Sequence, residues 1–169
     1  EDKSMAVLFE DFVRNFYARE QSYYKVRRED IKWQVKPMFG SNYGLLPKMQ
    51  TDITLESKSH KLIIDTKYYS KTTNEYFGTE KLHSSNLYQL NSYLTNIEKD
   101  LSNPRNLDCD GMLLYPKISK DYDETYKLGS HTIRVKTIDL SKEWREIETD
   151  LLQSLGFYSK HPLSNLTTY

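Results

Sequence analysis

The chain has 169 residues, of which 24 are basic and 24 are acidic, so its formal net charge is zero. This length suits one domain with a single core. Aromatic residues make up 13% of the sequence, and their large apolar areas favour a folded protein over a disordered one. No apolar run approaches the length of about 20 residues that spans a bilayer, and no signal peptide is visible. We therefore predict no membrane partner.

Cys109 is the single cysteine of the sequence. One cysteine excludes a disulfide framework and any cysteine-rich zinc site, and it is typical of a reducing cytoplasm. Because the sequence begins with Glu1 rather than Met, we interpret it as part of a longer protein. No repeat or linker divides it, so residues 1–169 are predicted to form one domain, with an irregular tail at 157–169.

Basic residues are concentrated in one part of the chain. Between Arg14 and Lys48, three acids oppose eight basic residues. These eight are Arg14, Arg19, Lys25, Arg27, Arg28, Lys32, Lys36 and Lys48. Such a basic half could meet phosphates, although an ordinary solvated surface would account for the same charges.

The first half of the chain shows one helical and three strand patterns. A helix is predicted from Ser4 to near Glu20, because apolar residues recur there at helical spacing. Alternation of apolar and polar residues predicts strands at 31–35 and 49–56, separated by a loop with proline and glycine. The apolar run at 61–69 is typical of a strand buried on both faces, which places it in the centre of a sheet.

The second half begins with residues 70–78, which are polar and which we expect to be mobile. The elements that follow are a helix at 81–99, strands at 111–115 and 132–140, and a helix that Ser141 caps. The resulting order is α-β-β-β-α-β-β-α, with the second helix as a crossover between strands. This order predicts an α/β or α+β sheet with helices packed on it.

A charged pair ends the predicted central strand. Asp65 and Lys67 are two residues apart, so their side chains share one face of the sheet. Charges at the end of a buried strand are costly unless they pair or bind a metal. Asp52, on the neighbouring strand of the hairpin, can approach the same point, and a divalent cation would relieve the repulsion between the two carboxylates.

This arrangement favours metal-assisted hydrolysis of a phosphodiester. Lys67 could orient or deprotonate a water molecule, or stabilise the pentavalent phosphate. A simple ion pair between Asp65 and Lys67 at a strand end is the alternative interpretation of the same two residues.

Gln89 and Tyr93 form a second polar element. They are four residues apart on the predicted second helix, so they share one face. Either side chain can bind a phosphate, a water molecule or a base edge. A polar pair on the surface of a helix is the alternative.

Longer stretches around these residues resemble a known family. The stretches are Leu46–Ile53, Leu62–Tyr69, Gly78–Leu90 and Gly111–Pro116, together with Leu8–Glu10 in the first helix. They resemble the McrC nuclease subunits of McrBC-type, modification-dependent restriction systems. The resemblance covers most of the chain, from about Met5 to Leu152.

The resemblance implies a PD-(D/E)xK restriction-endonuclease-like fold, with a central mixed sheet flanked by helices. Asp52, Asp65 and Lys67 match the catalytic triad of this superfamily. The backbone carbonyl of Thr66 would join the two carboxylates in binding Mg²⁺, for which Mn²⁺ could substitute. Glu10 matches the acid that such folds often place in the first helix, and it is a further candidate metal ligand.

Gln89 and Tyr93 match the Q-x-x-x-Y element of RecB-like nucleases, which implies that they contact DNA phosphate or support the active site. The sequence departs from the motif in one respect, because Thr51 rather than proline precedes Asp52. A second departure is that the N-terminal region through which the family contacts its motor subunit is absent from this sequence. The resemblance therefore implies that this sequence is the C-terminal part of a longer protein.

The resemblance implies a function and its partners. The expected function is that of a Mg²⁺-dependent DNA endonuclease, the cleavage subunit of a GTP-driven, methylcytosine-dependent restriction complex in the bacterial or archaeal cytoplasm. The expected partners are double-stranded DNA and an McrB-like GTPase motor. The alternatives are a stand-alone RecB-like nuclease and a catalytically inactive interaction domain that retains the nuclease fold. The intact acidic and basic residues argue against an inactive domain.

Overall fold

The computed structural model describes residues 3–69, 73–76 and 79–156. The α-helices in these ranges are α1 (Lys3–Glu20), α2 (Ser84–Ile97) and α3 (Trp144–Gly156). The strands are β1 (Lys25–Arg27), β2 (Asp30–Ile31), β3 (Met49–Gln50), β4 (Ile53–Glu56), β5 (Lys61–Thr66), β6 (Thr73–Tyr76), β7 (Thr79–Leu82), β8 (Asp110–Pro116), β9 (Asp123–Leu128) and β10 (His131–Ile138). Among the helices of these ranges, none combines the length and the apolar character needed to cross a membrane.

Six strands form one mixed sheet in the order β1-β4-β5-β8-β10-β9. Strand β5 is antiparallel to β4 and parallel to β8, and β10 is parallel to β8 and antiparallel to β9. The pairs β2–β3 and β6–β7 form separate two-stranded ribbons. Helix α2 lies in the crossover between the parallel strands β5 and β8. The predicted mixed sheet flanked by helices is confirmed, and the architecture is consistent with a PD-(D/E)xK-like nuclease fold.

Helices cover both faces of this sheet. Helices α1 and α3 pack against the face that carries Leu62 and Ile64 of β5. Helix α2 packs against the other face, where Ile63 contributes to the core together with Leu90. All six residues of β5 are buried, which confirms the prediction of a central strand. Because side chains alternate along a strand, Asp65 points to the same face as Ile63, towards α2.

Gly111 allows α2 to approach the sheet closely. A Cβ atom at this position of β8 would lie 3.0 Å from Cδ1 of Leu90, which is tighter than most Cβ contacts, so the Leu90 side chain would have to shift. The absence of a side chain at Gly111 therefore favours the close approach of α2 to β8, next to β5.

Several of the predicted strands are shorter than expected. The strand predicted at 61–69 ends at Thr66. The strand predicted at 31–35 is restricted to β2, because the next polar groups bond elsewhere: Trp33 Nε1 donates to the carbonyl of Pro47 at 2.6 Å, and Gln34 N donates to Asn96 Oδ1 at 2.9 Å. The strand predicted at 49–56 is divided into β3 and β4. Thr51 N donates to the carbonyl of Glu29 at 2.9 Å, which breaks the strand before Asp52.

Other differences concern short polar strands and element ends. Strands β1 and β9, which pair along the two edges of the sheet, were not predicted. Strand β6 lies in the segment 70–78, which was predicted to be mobile. Strand β7 includes the first two residues of the helix predicted at 81–99. Residues 70–72, 77–78 and the predicted tail at 157–169 lie outside the described ranges. Helix α3 begins at Trp144, where Glu146 N and Ile147 N both donate to the carbonyl of Glu143. Ser141 N and Oγ donate to Asp139 Oδ1 instead.

Candidate active site

The hairpin of β4 and β5 brings Asp52 and Asp65 towards each other. Ile53 of β4 pairs with Ile64 of β5 in the antiparallel register. Asp52 directly precedes Ile53 and Asp65 directly follows Ile64, so the same register continued by one residue sets the two acids opposite each other. Their positions follow from this pairing and from the short turn that joins the two strands.

Asp52 is held in place by the end of β5. Its Oδ2 atom accepts hydrogen bonds from the backbone N of Thr66 at 2.8 Å and from Thr66 Oγ1 at 3.1 Å. The backbone carbonyl of Asp52 accepts a longer hydrogen bond of 3.4 Å from Arg14 Nη1 in α1. The carboxylate therefore has a defined orientation although it lies in a bend rather than in a strand.

Lys67 lies against the buried carboxylate of Asp65. Lys67 Nζ is 3.0 Å from Asp65 Oδ2, and the Asp65 side chain is 0% exposed. Burial alone would lower the pKa of Lys67, but the charge of Asp65, its hydrogen bond and the charge of Asp52 outweigh burial and raise this pKa. The ammonium therefore stays charged at neutral pH and is suited to stabilise negative charge nearby.

Gln89 and Tyr93 connect this lysine to the backbone of β3. Lys67 Nζ donates to Gln89 Oε1 at 2.8 Å, Gln89 Nε2 donates to Tyr93 OH at 2.8 Å, and Tyr93 OH donates to the carbonyl of Gln50 at 3.1 Å. Burial, with smaller contributions from the nearby acids, raises the pKa of the Tyr93 hydroxyl, which therefore keeps its proton. The chain of hydrogen bonds fixes which end of the Gln89 amide faces Lys67.

Replacing Tyr93 by phenylalanine tests this chain of hydrogen bonds. The variant leaves the Gln89 amide and the Gln50 carbonyl without their shared partner, so we expect the free energy of unfolding to fall by about 1–3 kcal/mol. Tyr88→Phe is the matched control, because Tyr88 lies on the same helix and is 71% exposed. Chemical denaturation measures both variants, and equal stability of the two would contradict the assigned role of the Tyr93 hydroxyl.

Glu10 faces two arginines. Its Oε1 atom lies 2.7 Å from Arg14 Nη1 and 3.4 Å from Arg28 Nη2. Arg14 also forms an ion pair with Asp11, and it contacts the carbonyl of Asp52. The structure thus places Glu10 beside the arginine that supports Asp52, and its candidate role as a metal ligand stays a prediction.

Asn86 is a polar residue of this region that the sequence did not reveal. Its side chain is buried, accepts a hydrogen bond from Tyr69 OH at 3.0 Å and donates one to Tyr115 OH at 3.0 Å. Burial raises the pKa of Tyr115 to about 12. The available signal was helical spacing, because Asn86 precedes Gln89 by three residues and so lies on the same side of α2. Its two bonds tie the start of α2 to Tyr69, two residues after Lys67, and to strand β8.

The basic part of the chain is partly neutralised by ion pairs. Arg14, Arg27, Arg28 and Lys48 each lie within ion-pair distance of an acid. The remaining basic residues of this part are exposed, and they are Arg19, Lys25, Lys32 and Lys36. These four side chains are therefore available to a phosphate backbone, and so is Lys48, whose side chain stays 64% exposed beside Asp30.

The residues at the end of β5 suit a hard divalent cation. The carboxylates of Asp52 and Asp65, with the backbone carbonyl of Thr66 as the predicted third ligand, would form an all-oxygen set of the kind that Mg²⁺ prefers. Two carboxylates share one ammonium, that of Lys67, so a cation would meet excess negative charge. Within the described ranges, no group of three or more His, Cys, Asp or Glu side chains is placed to hold a metal. A Mg²⁺ site commonly uses only one or two carboxylates, supplemented by water and substrate phosphate, so the metal-binding role of Asp52 and Asp65 stays a prediction.

The parts of the chain that match known proteins include the residues of the candidate site. Residues 4–116 match the family described as "McrBC 5-methylcytosine restriction system component". A curated relative, the "Type IV methyl-directed restriction enzyme EcoKMcrBC" of Escherichia coli (strain K12), is 35% identical over 159 residues, which cover 94% of this chain and 44% of the relative. The chain thus spans less than half the length of the curated relative that it matches. Because the family match extends over more than half of the sequence and includes every candidate site residue, the chain belongs to the McrBC 5-methylcytosine restriction system component family.

Proposed function

We propose that this chain is a metal-dependent DNA endonuclease domain and the cleavage component of a methylcytosine-dependent restriction system. The observation that carries the proposal is the meeting of two carboxylates from paired strands beside a charged lysine, in a member of a restriction-system family. The matched relative is named a methyl-directed restriction enzyme, which supports the same direction.

The proposed mechanism assigns a role to each side chain. Asp52, Asp65 and the carbonyl of Thr66 would hold Mg²⁺, with Mn²⁺ as a substitute. When bound, the ion would polarise the scissile phosphate and lower the pKa of a water molecule. Lys67 places its ammonium 3.0 Å from Asp65, where it can stabilise the negative charge that develops on the phosphate oxygens.

Gln89 and Tyr93 act as positioning residues in this mechanism. Gln89 accepts a hydrogen bond from Lys67 and so restricts the direction of the ammonium, and Tyr93 in turn restricts Gln89. Orientation of reacting groups contributes much of the rate of an enzymatic reaction. The Thr66 bonds to Asp52 act in the same way on the acidic side of the site.

The proposed substrate is double-stranded DNA, and the proposed partner is an McrB-like GTPase motor in the cytoplasm of a bacterium or archaeon. We assign recognition of the modified base to that motor, because the resemblance places target choice in the motor subunit. The zero net charge and the internal pairing of half of the basic residues are in keeping with weak DNA binding by this chain. Contacts to phosphate position DNA without specifying its sequence.

The chain alone is therefore expected to bind DNA weakly and without preference for methylated duplex. Its affinity should fall as the salt concentration rises, because phosphate contacts release counterions. Gel-shift and cleavage assays on matched methylated and unmethylated duplexes measure this, with Mg²⁺ and with a chelator. Cleavage should require the metal, and efficient double-strand cutting should require the motor and GTP.

Two results would contradict this proposal. Strong discrimination of methylated DNA by the chain alone would favour a stand-alone nuclease with its own recognition element. Failure of the longer protein that carries this chain and its motor-contacting region to cut DNA in the presence of the motor, GTP and Mg²⁺ would favour an inactive interaction domain.

A further inference from the structure

The loop between β2 and β3 exposes an unusual number of apolar side chains. The exposed apolar residues of this 32–48 loop are Val35, Met38, Phe39, Tyr43, Leu45 and Leu46. Phe39 is 100% exposed and Met38 is 62% exposed. Clustered apolar exposure of this kind typically marks a surface that another molecule covers.

The loop has a defined shape. Trp33 Nε1 closes its base by donating to the Pro47 carbonyl, and Tyr43 OH donates to the Val35 carbonyl at 2.5 Å. Phe39 has a φ of 56°, in the left-handed region that bulky residues rarely adopt, and Gly40 follows with a φ of 77°. This tight turn directs the chain back towards β3 and leaves Phe39 exposed at the tip.

The charge of the loop is entirely basic. Lys32, Lys36 and Lys48 are its charged residues, and the sequence has no acid between Ile31 and Thr51. All three lysines are exposed, and Lys48 lies 3.2 Å from the equally exposed Asp30 at the base. An apolar tip flanked by lysines is complementary to duplex DNA, where phosphates border a groove lined by bases.

The loop also leads directly into the candidate active site. It ends at β3, where the carbonyl of Gln50 accepts the hydrogen bond from Tyr93. Asp52 follows two residues later. DNA whose phosphate reached Asp52 and Asp65 would therefore lie beside the root of this loop.

We infer that the 32–48 loop is a DNA-contacting wedge, with Phe39 and Met38 packing against bases in a groove and Lys32, Lys36 and Lys48 contacting the flanking phosphates. This inference rests on the proposed function, since it takes DNA as the substrate. Apolar wedges of this type unstack neighbouring base pairs and bend the duplex.

The test measures binding of a fluorescent duplex that contains 2-aminopurine, with Mg²⁺ present and in a Lys67→Ala background that prevents cutting. Adding Phe39→Ala should weaken binding about 5- to 100-fold, the range of lost stacking on one base. It should also remove the rise in 2-aminopurine emission that unstacking produces. The salt dependence should not change, because Phe39 contacts no phosphate, whereas Lys36→Gln should lower the slope of log K against log salt by about 0.9.

Leu107→Ala provides the control for loss of an exposed apolar side chain. Leu107 is 60% exposed and precedes β8, at the end of the parallel strands opposite to Lys67. We expect the Leu107→Ala variant to bind the duplex with the same affinity as the Lys67→Ala parent. Phe39→Ala keeps a β-carbon at the same φ and removes no buried contact, so an unchanged melting temperature should accompany its weaker binding.

Unchanged affinity and unchanged 2-aminopurine emission in Phe39→Ala would overturn the wedge. Loss of self-association by this variant at unchanged DNA affinity would overturn it too, and would assign the loop to a protein contact. The proposed function fails separately, if the Lys67→Ala parent cuts DNA as fast as the wild type.

Discussion

Replacing Lys67 by alanine is expected to reduce DNA cleavage about 100- to 1,000-fold, the usual cost of removing one group that stabilises transition-state charge. The structure gives the reason, because Lys67 is the cation next to the buried carboxylate of Asp65, and its raised pKa keeps it charged. An ammonium does not ligate a metal, so binding of Mg²⁺ should persist. Single-turnover cleavage measured in the complete complex, in which the longer protein that carries this chain is assembled with the motor and GTP, together with titration of the metal, separates the two effects.

Lys99→Ala is the matched control for loss of one positive charge, because Lys99 is exposed just after α2. It should cut at the wild-type rate. Cleavage by Lys67→Ala at close to the wild-type rate would show that Asp65 and Lys67 form only a structural ion pair.

The Asp65→Asn variant is expected to lose both metal binding and cleavage. Asparagine keeps the shape of the buried side chain but removes the charge that a hard cation requires. In the wild type, Mg²⁺ at about 100 times its dissociation constant should stabilise the fold by about 2.7 kcal/mol through mass action. Thermal unfolding with and without Mg²⁺ should show this stabilisation, and Asp65→Asn should lack it.

Asp108→Asn controls for the general effect of one lost negative charge, since Asp108 is exposed in the turn before β8. Its stabilisation by Mg²⁺ should match that of the wild type. Equal stabilisation in Asp65→Asn would remove Asp65 from the metal site, and the assignment of Asp52 would then need separate support.

The central part of the fold was predictable because its residues follow simple periods. Alternation along β5 assigned Ile63 and Asp65 to one face, and the short turn before β5 predicted pairing with the strand that follows Asp52. Spacing of four residues likewise placed Gln89 and Tyr93 together on α2. Such patterns depend on local geometry, which the sequence expresses directly.

Elements whose position depends on contacts with distant parts of the chain were not predictable. Every residue of β9 is exposed, so its side chains show no buried face, and backbone pairing with β10 determines the strand. The alternation at 31–35 was misleading, because Val35 is exposed and Gln34 bonds to Asn96 of α2, far along the chain. Partners such as these depend on tertiary contacts.

Within the candidate site, residue types were easier to predict than their connections. The strand pattern selected Asp52 and Lys67 and the resemblance matched them to a catalytic triad, but the sequence could not show that Thr66 donates two hydrogen bonds to Asp52. It also gave no indication that the Tyr93 hydroxyl ends on a backbone carbonyl. The directions of hydrogen bonds depend on the three-dimensional structure and not on local sequence patterns. The catalytic and metal-binding roles of these residues stay predictions until the variants are measured.

The register of the β4–β5 hairpin has a consequence for how this chain can change length. Asp52 and Asp65 meet because Ile53 pairs with Ile64, and one residue inserted into either strand would turn an acid to the opposite face. The 32–48 loop lies outside the paired strands, so insertions there would leave the two acids aligned. Divergent members of the family should therefore differ in the length of this loop far more readily than in the length of the two paired strands. An insertion there would separate Asp52 from Ile53 or Ile64 from Asp65.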